Sequence, residues 1–600
     1  MSDAKYIIGI DLGTTHCVLA YTKKDQPEGG SPEIRLLQIP QIVSPNELKT
    51  QALLPSFLLL PGPHDVPEGS LSLPWDDTMT YAVGEFARKR GAEIPNRLVS
   101  SAKSWLCHAG VDRTQPILPW DAPEDTQRVS PVEATTRYLS HIRYAWNNEF
   151  ARDDAALRLE NQEVYLTVPA SFDAVARELT AQAAQTAGLQ NLTLLEEPQA
   201  AFYAWLEAQK NNWRKQISVG ETVLVCDVGG GTTDFSLIRV TEDVGDLQLN
   251  RIAVGNHILL GGDNMDLTLA YAIQAKLAQK GTKLDQWQFR SLWFSCRSAK
   301  EKLLNDPTRD SEPIALLGRG SSLIGGTIRT ELTREELQTV LLQGFFPIGE
   351  KHDFPQVQTR VGMREMGLPY AQDVAVTRHL AEFLHHEISE SGSDEVAFPS
   401  AILFNGGVMK APEMRQNVLS ALEKWSDQPI RELPSMDLDL AVAYGAAYYG
   451  LARQGKGIRI RAGINRTYYI GVESSMPAVP GIPTPMKALC VVPFGMEEGS
   501  EAEIRNKEFG LVVGEPAVFH LLAATHNKND AAGEIVEDWS GDIQEVATLE
   551  VNLPASSDAG GGTVIPVWLE SKVTEVGTLE LWCVSRDDDR RWKLEFDVRA

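Results

Sequence analysis

Two short runs in this chain place a carboxylate, glycines and threonines at the end of an apolar stretch. The first is Tyr6-Ile-Ile-Gly-Ile-Asp-Leu-Gly-Thr-Thr-His-Cys-Val-Leu-Ala-Tyr21, which groups Asp11, Gly13, Thr14 and Thr15. The second is Val223-Leu-Val-Cys-Asp-Val-Gly-Gly-Gly-Thr-Thr-Asp-Phe-Ser-Leu-Ile-Arg-Val240, which groups Asp227, Gly229, Gly230, Gly231, Thr232, Thr233 and Asp234. Glycine lets a backbone approach a bulky anion closely, and its N–H groups can then point at phosphate oxygens. Threonine hydroxyls add donors. Carboxylates repel phosphate unless a cation sits between them, so these acids imply bound magnesium. A single glycine turn of this kind is common. Two matched ones, about two hundred residues apart, read as an internal duplication whose two lobes each present one hairpin to a polyphosphate.

Each run reads as strand, glycine turn, strand. Other elements must hold the partners of these turns. Leu53–Leu60 reads as a strand entered through Pro55, Val83–Arg90 as the start of a helix, and Val99–Leu106 as the segment that carries Lys103. Thr135–Phe150 has helical periodicity, Val164–Ala170 is a strand ended by Pro169, and Ala174–Ala187 is an Ala-rich helix stopped by Gly188. Leu192–Phe202 is a strand that turns into a helix through Pro198 and delivers Glu196 and Glu197. Those two acids read either as carboxylates aimed at a crevice ligand or as first-turn helix acids. Gly261-Gly-Asp-Asn-Met265 is a turn before a helix from Asp266 to Gln279, and Trp287–Leu304 is a second helix with Arg297, Lys300 and Lys302 available to reach a nucleotide. Thr333-Arg-Glu-Glu is a capping box. Ala401–Val408 is a strand that ends in Gly406-Gly407, and Asp437–Ala447 is a carboxylate-capped helix with a small-residue face. The texture changes near Ala452. Gly455–Arg466 is short, basic and glycine-punctuated, a linker, and only strand-like segments follow from Thr467. They are Tyr468–Glu473, Met486–Pro493, Ala517–Ala524, Val546–Leu553, Val564–Glu570, Thr578–Val584 and Trp592–Val598, with turns such as Gly560-Gly-Gly562 between them. That pattern is an all-β sandwich of roughly 130 residues.

Composition bounds the function. A chain of 600 residues suggests about three or four domains by size. A net charge of −25 argues against nucleic acid or an anionic membrane as a main partner. The six cysteines form no CxxC pair, which suits a reducing cytoplasm and excludes a cysteine zinc site. Cys17 and Cys226 occupy apolar strand positions and read as core. The N-terminus enters a strand directly, so no signal peptide is expected, and the apolar stretches are too short for a membrane helix.

Taken together, the motifs resemble those of the seventy-kilodalton, DnaK-type heat-shock chaperones, the Hsp70 family. The likeness rests on Ile8-Gly-Ile-Asp-Leu-Gly-Thr-Thr15, Thr167-Val-Pro-Ala-Ser-Phe172, Glu197-Pro-Gln-Ala-Ala201, Asp227–Asp234, Gly261-Gly-Asp263, Gly406-Gly407 and Ala441-Val-Ala-Tyr-Gly-Ala-Ala447, in that order. It implies an α/β actin-like ATPase fold (a duplicated RNase H-like domain) over 1–455, a basic linker over 456–466 and a β-sandwich substrate-binding-like domain over 467–600. It also implies residue roles. Asp11, Asp227 and Asp234 would surround magnesium and its waters. Thr14, Thr15 and Thr232 would bond phosphates. Lys103 would reach the γ-phosphate and the hydrolytic water, where the bland reading is a surface lysine, and Glu197 would orient that water. His16, Gly229, Gly230, Gly231, Gly261, Gly262, Lys300, Gly406, Gly407 and Asp439 would line the nucleotide, with His16 packing or hydrogen-bonding rather than doing acid–base chemistry. Pro169 and Arg177 would couple nucleotide state to the other domain. ATP or ADP with Mg2+, and an optional K+, are the implied cofactors.

The chain departs from the family pattern at Arg297, Glu301, Leu304, Val408 and Lys410, which bear on adenine contacts. It departs again at Ile458-Arg-Ile-Arg461, where the family linker is acidic and leucine-rich. The chain ends at Ala600 with the sandwich, so the family's helical lid is expected to be absent. The extra sequence between Phe346 and Gln372 has no assigned role, and the adjacent His385 and His386 read as solvated. The expected activity is a weak, magnesium-dependent ATPase driving a cytoplasmic chaperone that captures unfolded or extended polypeptides, with a co-chaperone or exchange factor as a further partner. The alternative is a nucleotide-regulated interaction protein with one dedicated partner. A sugar or carboxylate kinase is a third reading, opposed by the C-terminal sandwich.

Overall fold

A computed structural model describes residues 4–25, 32–108, 110–120, 122–124, 126–243, 246–318, 327–356, 367–390, 398–426, 428–455, 466–475, 484–494, 496, 500–524, 530–537, 539, 543–554, 562–574 and 578–597. The linker expected at 456–466 and the Ile458–Arg461 departure lie outside them, apart from Arg466. The chain divides into two compact units, Met1–Gln248 with Ile252–Arg459 and Ile460–Ala600 with Leu249–Arg251.

The first unit contains two sheets of the same plan. One is built from β1 (Tyr6–Leu12), β2 (His16–Lys23), β3 (Arg35–Leu36), β4 (Leu54–Pro55), β5 (Glu163–Val168) and β6 (Leu192–Glu196), in the order β6-β5-β1-β2-β3 with β4 beside β2. The other is built from β7 (Thr222–Val228), β8 (Thr233–Asp243), β9 (Asp246–Val254), β10 (Ala401–Asn405) and β11 (Arg431–Glu432), in the order β9-β8-β7-β10-β11. In each, a central strand pairs antiparallel with the strand that follows it and parallel with a later one. Asp11 lies opposite Val18 in the first hairpin, and Asp227 lies opposite Asp234 in the second. Even the turn closures match, with Gly13 N–H donating to His16 C=O and Gly229 N–H to Thr232 C=O. The central strands β1 and β7 are buried almost throughout, as their unbroken apolar sequences require. This is the duplicated actin-like architecture that the motifs imply.

Helices cover these sheets. The ones that matter for the site are α1 (Ala102–Leu106), α2 (Pro131–Phe150), α3 (Ala174–Thr186), α4 (Glu197–Gln209), α5 (Gly262–Gln279), α6 (Gln286–Asn305) and α7 (Ala441–Arg453). The small-residue face expected near Ala441–Ala447 has a physical purpose. A Cβ on Gly445 would overlap the Ala200 carbonyl of α4, and a Cβ on Gly9 of β1 would overlap the Ala443 carbonyl. Backbone therefore meets backbone at both crossings. This helix starts later than its sequence suggests. Its N-cap is Leu440, which makes no side-chain cap bond, and the Asp437 carboxylate accepts instead from Asp439 N–H in the preceding turn, at 3.0 Å. The strand expected over Leu53–Leu60 is broken into Leu54–Pro55 and Leu58–Leu59, because Ser56 turns aside to bond the first hairpin.

The second unit is two sheets that share a core, with a smaller buried cluster around Tyr469, Cys490 and Leu522. Its strands are β12 (Thr467–Glu473), β13 (Met486–Val492), β14 (Glu501–Val513), β15 (Pro516–Ala524), β16 (Ile535–Val536), β17 (Gln544–Asn552), β18 (Thr563–Val573), β19 (Thr578–Ser585) and β20 (Arg591–Asp597). They are ordered β16-β13-β12-β15-β17 and β14-β18-β19-β20. Alternate residues from both sheets, among them Ile470, Leu489, Leu521, Val567, Leu581 and Phe596, fill the space between them. All seven expected strands form. The longest strand, β14, was not expected. Its Glu501-Ala-Glu-Ile-Arg-Asn-Lys-Glu run has almost no apolar alternation, and the pairing register breaks between Ile504 and Phe509. No helix among the described residues is long and apolar enough to cross a membrane.

Candidate nucleotide site

The two glycine turns meet. A Cβ on Gly230 would collide with the Thr15 side chain and lie 3.6 Å from Thr14 Cβ, and one on Gly231 would lie 3.0 Å from Thr14 Cγ2 and 3.1 Å from Thr14 Oγ1. The second hairpin thus needs glycine where the first approaches it, while Gly13 is required by its own turn, where a Cβ would strike the His16 carbonyl. Gly261 and Gly262 complete the cradle. Gly262 N–H donates to Gly229 C=O at 3.0 Å and Asp263 N–H donates to Gly230 C=O at 2.7 Å, which seats the start of α5 on the second turn. At Gly406 the backbone takes φ +85°, and a Cβ there would strike the Val228 carbonyl and lie 2.6 Å from Asp227 Oδ1. Only glycine tolerates both conditions.

Buried acids gather at the strand ends. Asp11 is 9% exposed, and Asp227 and Asp234 are as deeply buried. Asn405 Nδ2 donates to Asp227 Oδ2 at 2.7 Å, Thr167 Oγ1 donates to Asp11 Oδ1 at 3.4 Å, and Ser171 N–H donates to Asp234 Oδ1 at 3.3 Å. The two acids delivered by β6 separate. Glu196 is fully buried and lies 3.9 Å from Arg177, whereas Glu197 pairs with Lys103. Lys103 is 6% exposed, so the surface-lysine reading is overturned.

Three carboxylates, Asp11, Asp227 and Glu197, therefore share one ammonium, and Asp234 stands beside Asp227 and Glu197. Burial and the Glu197 carboxylate push Asp11 up to about 7, against the pull of Lys103. Burial, with Glu197 and Asp234 beside it, raises Asp227 well above the carboxylate range. Burial also raises Glu197, against Lys103. Burial alone would lower Lys103, but Glu197 and Asp11 outweigh it and hold its pKa raised. The excess of oxygen donors suits a hard cation. No three His, Cys, Asp or Glu side chains among the described residues converge closely enough to hold a metal by themselves.

At the other end of the cradle, a Cβ on Gly262 would lie 3.5 Å from Lys300 Nζ and 3.6 Å from Val408 Cγ2. His16 Nδ1 is 3.2 Å from Thr15 Oγ1, and His16 Nε2 is 3.8 Å from Asp439 Oδ1. Burial lowers the His16 pKa against the pull of Asp439. Lys410 forms an ion pair with Asp439. A Cβ on Gly407 would lie 3.9 Å from Asp439 Oδ1.

Two cations expected to be available to a nucleotide are committed elsewhere. Arg297 bonds Asp263 and reaches Asp266 Oδ2 at 2.7 Å, and Lys302 pairs with Glu312 at 2.6 Å. Lys300 borders Gly262 but also pairs with Asp266 at 2.6 Å. Arg177 Nη2 donates to the Ala170 carbonyl at 2.8 Å, next to the buried Pro169. His385 and His386 are exposed, as expected.

The sequence reading omitted several supporting residues. Ser56 donates to Gly13 C=O at 2.7 Å, Ser101 bonds Asp263, and Ser171 bonds His257 Nδ1 at 2.7 Å. Single serines in loops carry no pattern that would reveal this. Asn405 was legible, as a polar residue at the carboxyl end of a parallel strand, in register with Asp227.

A family model described as Hsp70 protein matches residues 83–345. A chaperone protein HscA homolog of Pseudoalteromonas atlantica is 28% identical over 317 residues, 51% of this chain and 43% of that protein. One of Acinetobacter baumannii is 30% identical over 322 residues, 52% of this chain and 43% of that protein. The chaperone protein HscA of Cronobacter sakazakii is 30% identical over 290 residues, 47% of this chain and 40% of that protein. The chain thus spans under half the length of the curated relatives it matches.

Proposed function

We propose that the chain, whose residues 83–345 match a family model described as Hsp70 protein, is an Hsp70-type ATP-dependent chaperone whose first unit hydrolyses ATP and whose β-sandwich holds extended apolar polypeptide. The observation that carries this reading is the meeting of the two glycine turns beside the buried Lys103–Glu197 pair. Magnesium bound with the triphosphate would supply the positive charge that Asp11, Asp227, Asp234 and Glu197 lack. Thr14, Thr15 and Thr232 donate to phosphate oxygens from the two hairpins. Lys103 neutralises charge on the transferred phosphoryl group, and Glu197 orients the attacking water. Hydrolysis of this kind rests on positioning and electrostatics, without a covalent intermediate. Gly261, Gly262, Lys300, Gly406, Gly407, His16 and Asp439 line the nucleotide. Pro169 and Arg177 relay its state, and Arg177 does so from a buried position against Glu196.

The sandwich captures its client by backbone pairing and an apolar pocket, which gives affinity without strict sequence choice. The domain limits are 1–455 and 467–600, and the protein works in the cytoplasm with unfolded polypeptides and a co-chaperone or exchange factor. The second reading, one dedicated partner and little general chaperone work, rests on the divergent Ile458-Arg-Ile-Arg461 linker sequence. Steady-state ATP hydrolysis with a panel of unrelated unfolded peptides decides between them. Acceleration by many peptides supports the first reading. Peptides without effect, and acceleration by a single protein, would replace it with the second, and phosphate transfer to a small acceptor would replace both.

A further inference from the structure

Ser104 follows Lys103 on α1 and is 1% exposed. Its hydroxyl has no hydrogen-bond partner among the described residues. That is unusual for a helical hydroxyl in this chain. Thr135, Thr180 and Ser295 each donate to the carbonyl four residues back, at 2.7 to 2.9 Å. Ser104 has no such carbonyl to use. Residue 101 sits in the left-handed region at φ 54°, so the backbone at residue 100 is not part of the helical turn. The segment is fixed there because Ser101 bonds the buried Asp263.

The free hydroxyl is aimed at the second glycine turn. A Cβ on Gly231 would collide with Ser104 Oγ, and the same point lies 3.1 Å from Thr14 Oγ1. Two hydroxyls from different segments thus flank one glycine. Lys300 and Val408 stand beside Gly262 and Asp439 beside Gly407, whereas Ser104 stands beside Gly231 and follows Lys103, which pairs with Glu197. A buried, unsatisfied donor costs free energy until something accepts from it. The acceptor class that suits glycine turns, paired hydroxyls and an adjacent ammonium is a phosphoryl oxygen.

We propose that Ser104 donates to the terminal phosphoryl group of a bound nucleoside triphosphate, so that it senses the group that hydrolysis removes. This rests on the ATP-binding reading above. It separates from that reading because it concerns the difference between triphosphate and diphosphate. The test measures binding of ADP and of a non-hydrolysable ATP analogue to the full chain and to Ser104→Ala, with the melting temperature of each ligand-free protein. Loss of one hydrogen bond to a charged acceptor weakens the analogue about tenfold and leaves ADP within about twofold. Removing an unsatisfied hydroxyl leaves the ligand-free melting temperature unchanged or raises it by roughly 1–2 °C. Ser104→Cys, similar in size and a weaker donor, falls between. Equal weakening of ADP and analogue, no weakening of either, or a melting temperature several degrees lower would overturn the proposal. A wild-type protein that binds neither nucleotide would overturn the ATP-binding reading itself.

Discussion

Replacing Arg297 with methionine should destabilise the first unit in a way that depends on pH. Arg297 and Lys300 face Asp263 and Asp266, two cations against two buried carboxylates. Asp266 keeps Lys300 at 2.6 Å in the variant, so Asp263 is the group that loses its paired cation and keeps, among the described residues, the Ser101 bond and the weaker pull of Lys300. Burial already raises the Asp263 pKa against the pull of Arg297 and Ser101, and without Arg297 it must rise further. Stranding one partner of a buried pair costs about 3–5 kcal/mol. Protonation offers an escape. Holding Asp263 neutral at pH 8, against an unfolded pKa near 3.9, costs about 5–6 kcal/mol, and that cost falls by about 1.4 kcal/mol per pH unit. A carboxylate with a raised folded pKa destabilises above its unfolded pKa, so the variant loses most at pH 8 and recovers as pH falls toward 5. Urea unfolding of wild type, Arg297→Met and Arg297→Met/Asp263→Asn across that range reads the effect. The double variant should be the more stable of the two at pH 8. A single-variant loss below about 1 kcal/mol at pH 8, or a further loss on adding Asp263→Asn, would refute the reasoning and return Arg297 to the nucleotide.

Other outcomes follow from buried groups. Burial lowers His141 to about 4, against its hydrogen bond to the Pro40 carbonyl at 2.9 Å. Its penalty is absent above pH 6.5 and grows to about 3 kcal/mol as pH falls from 6.5 to 4, because the unfolded chain binds the proton first. His141→Gln should therefore flatten the acid limb of the stability curve, measured by urea unfolding, and an unchanged limb would contradict this. Gly445→Ala forces a Cβ into the Ala200 carbonyl, and with backbone on both sides it should cost about 3 kcal/mol or more in thermal or urea unfolding. Asn405→Ala removes the only side-chain donor to Asp227 seen among the described residues. It should raise the magnesium needed for half-maximal ATP turnover by severalfold, while a response equal to wild type would place Asn405 outside the site.

Much of the site was legible because its chemistry is written locally. Asp11, Thr14, Asp227 and Gly229–Gly231 stand in runs where strand, turn and strand are consecutive, and the matched closures at Gly13 and Gly229 follow from that sequence. Glu197 was identifiable as a candidate because the β6–α4 junction places it at a strand end, but position could not divide it from Glu196. Only the packing of Arg177 against one and Lys103 against the other does so. Arg297 was misread because helical spacing puts it on the same face as Lys300, and nothing in that spacing reveals two acids on α5 awaiting it. Ser56, Ser101 and Ser104 escaped notice for a related reason. Their partners lie far away in sequence or, for Ser104, outside the chain, and a lone serine has no period to betray it. In the second unit, alternation exposed seven strands. It hid β14, whose outward charges leave few apolar positions to count.

The buried Lys103–Glu197 pair beside the glycine turns is proposed to drive hydrolysis of ATP. Single-turnover hydrolysis of magnesium-bound ATP, by wild type and Lys103→Ala at saturating enzyme, tests it directly. Wild type should turn over slowly and the variant should lose about a hundredfold or more, with ADP affinity within about threefold. Equal single-turnover rates in the two proteins would contradict it.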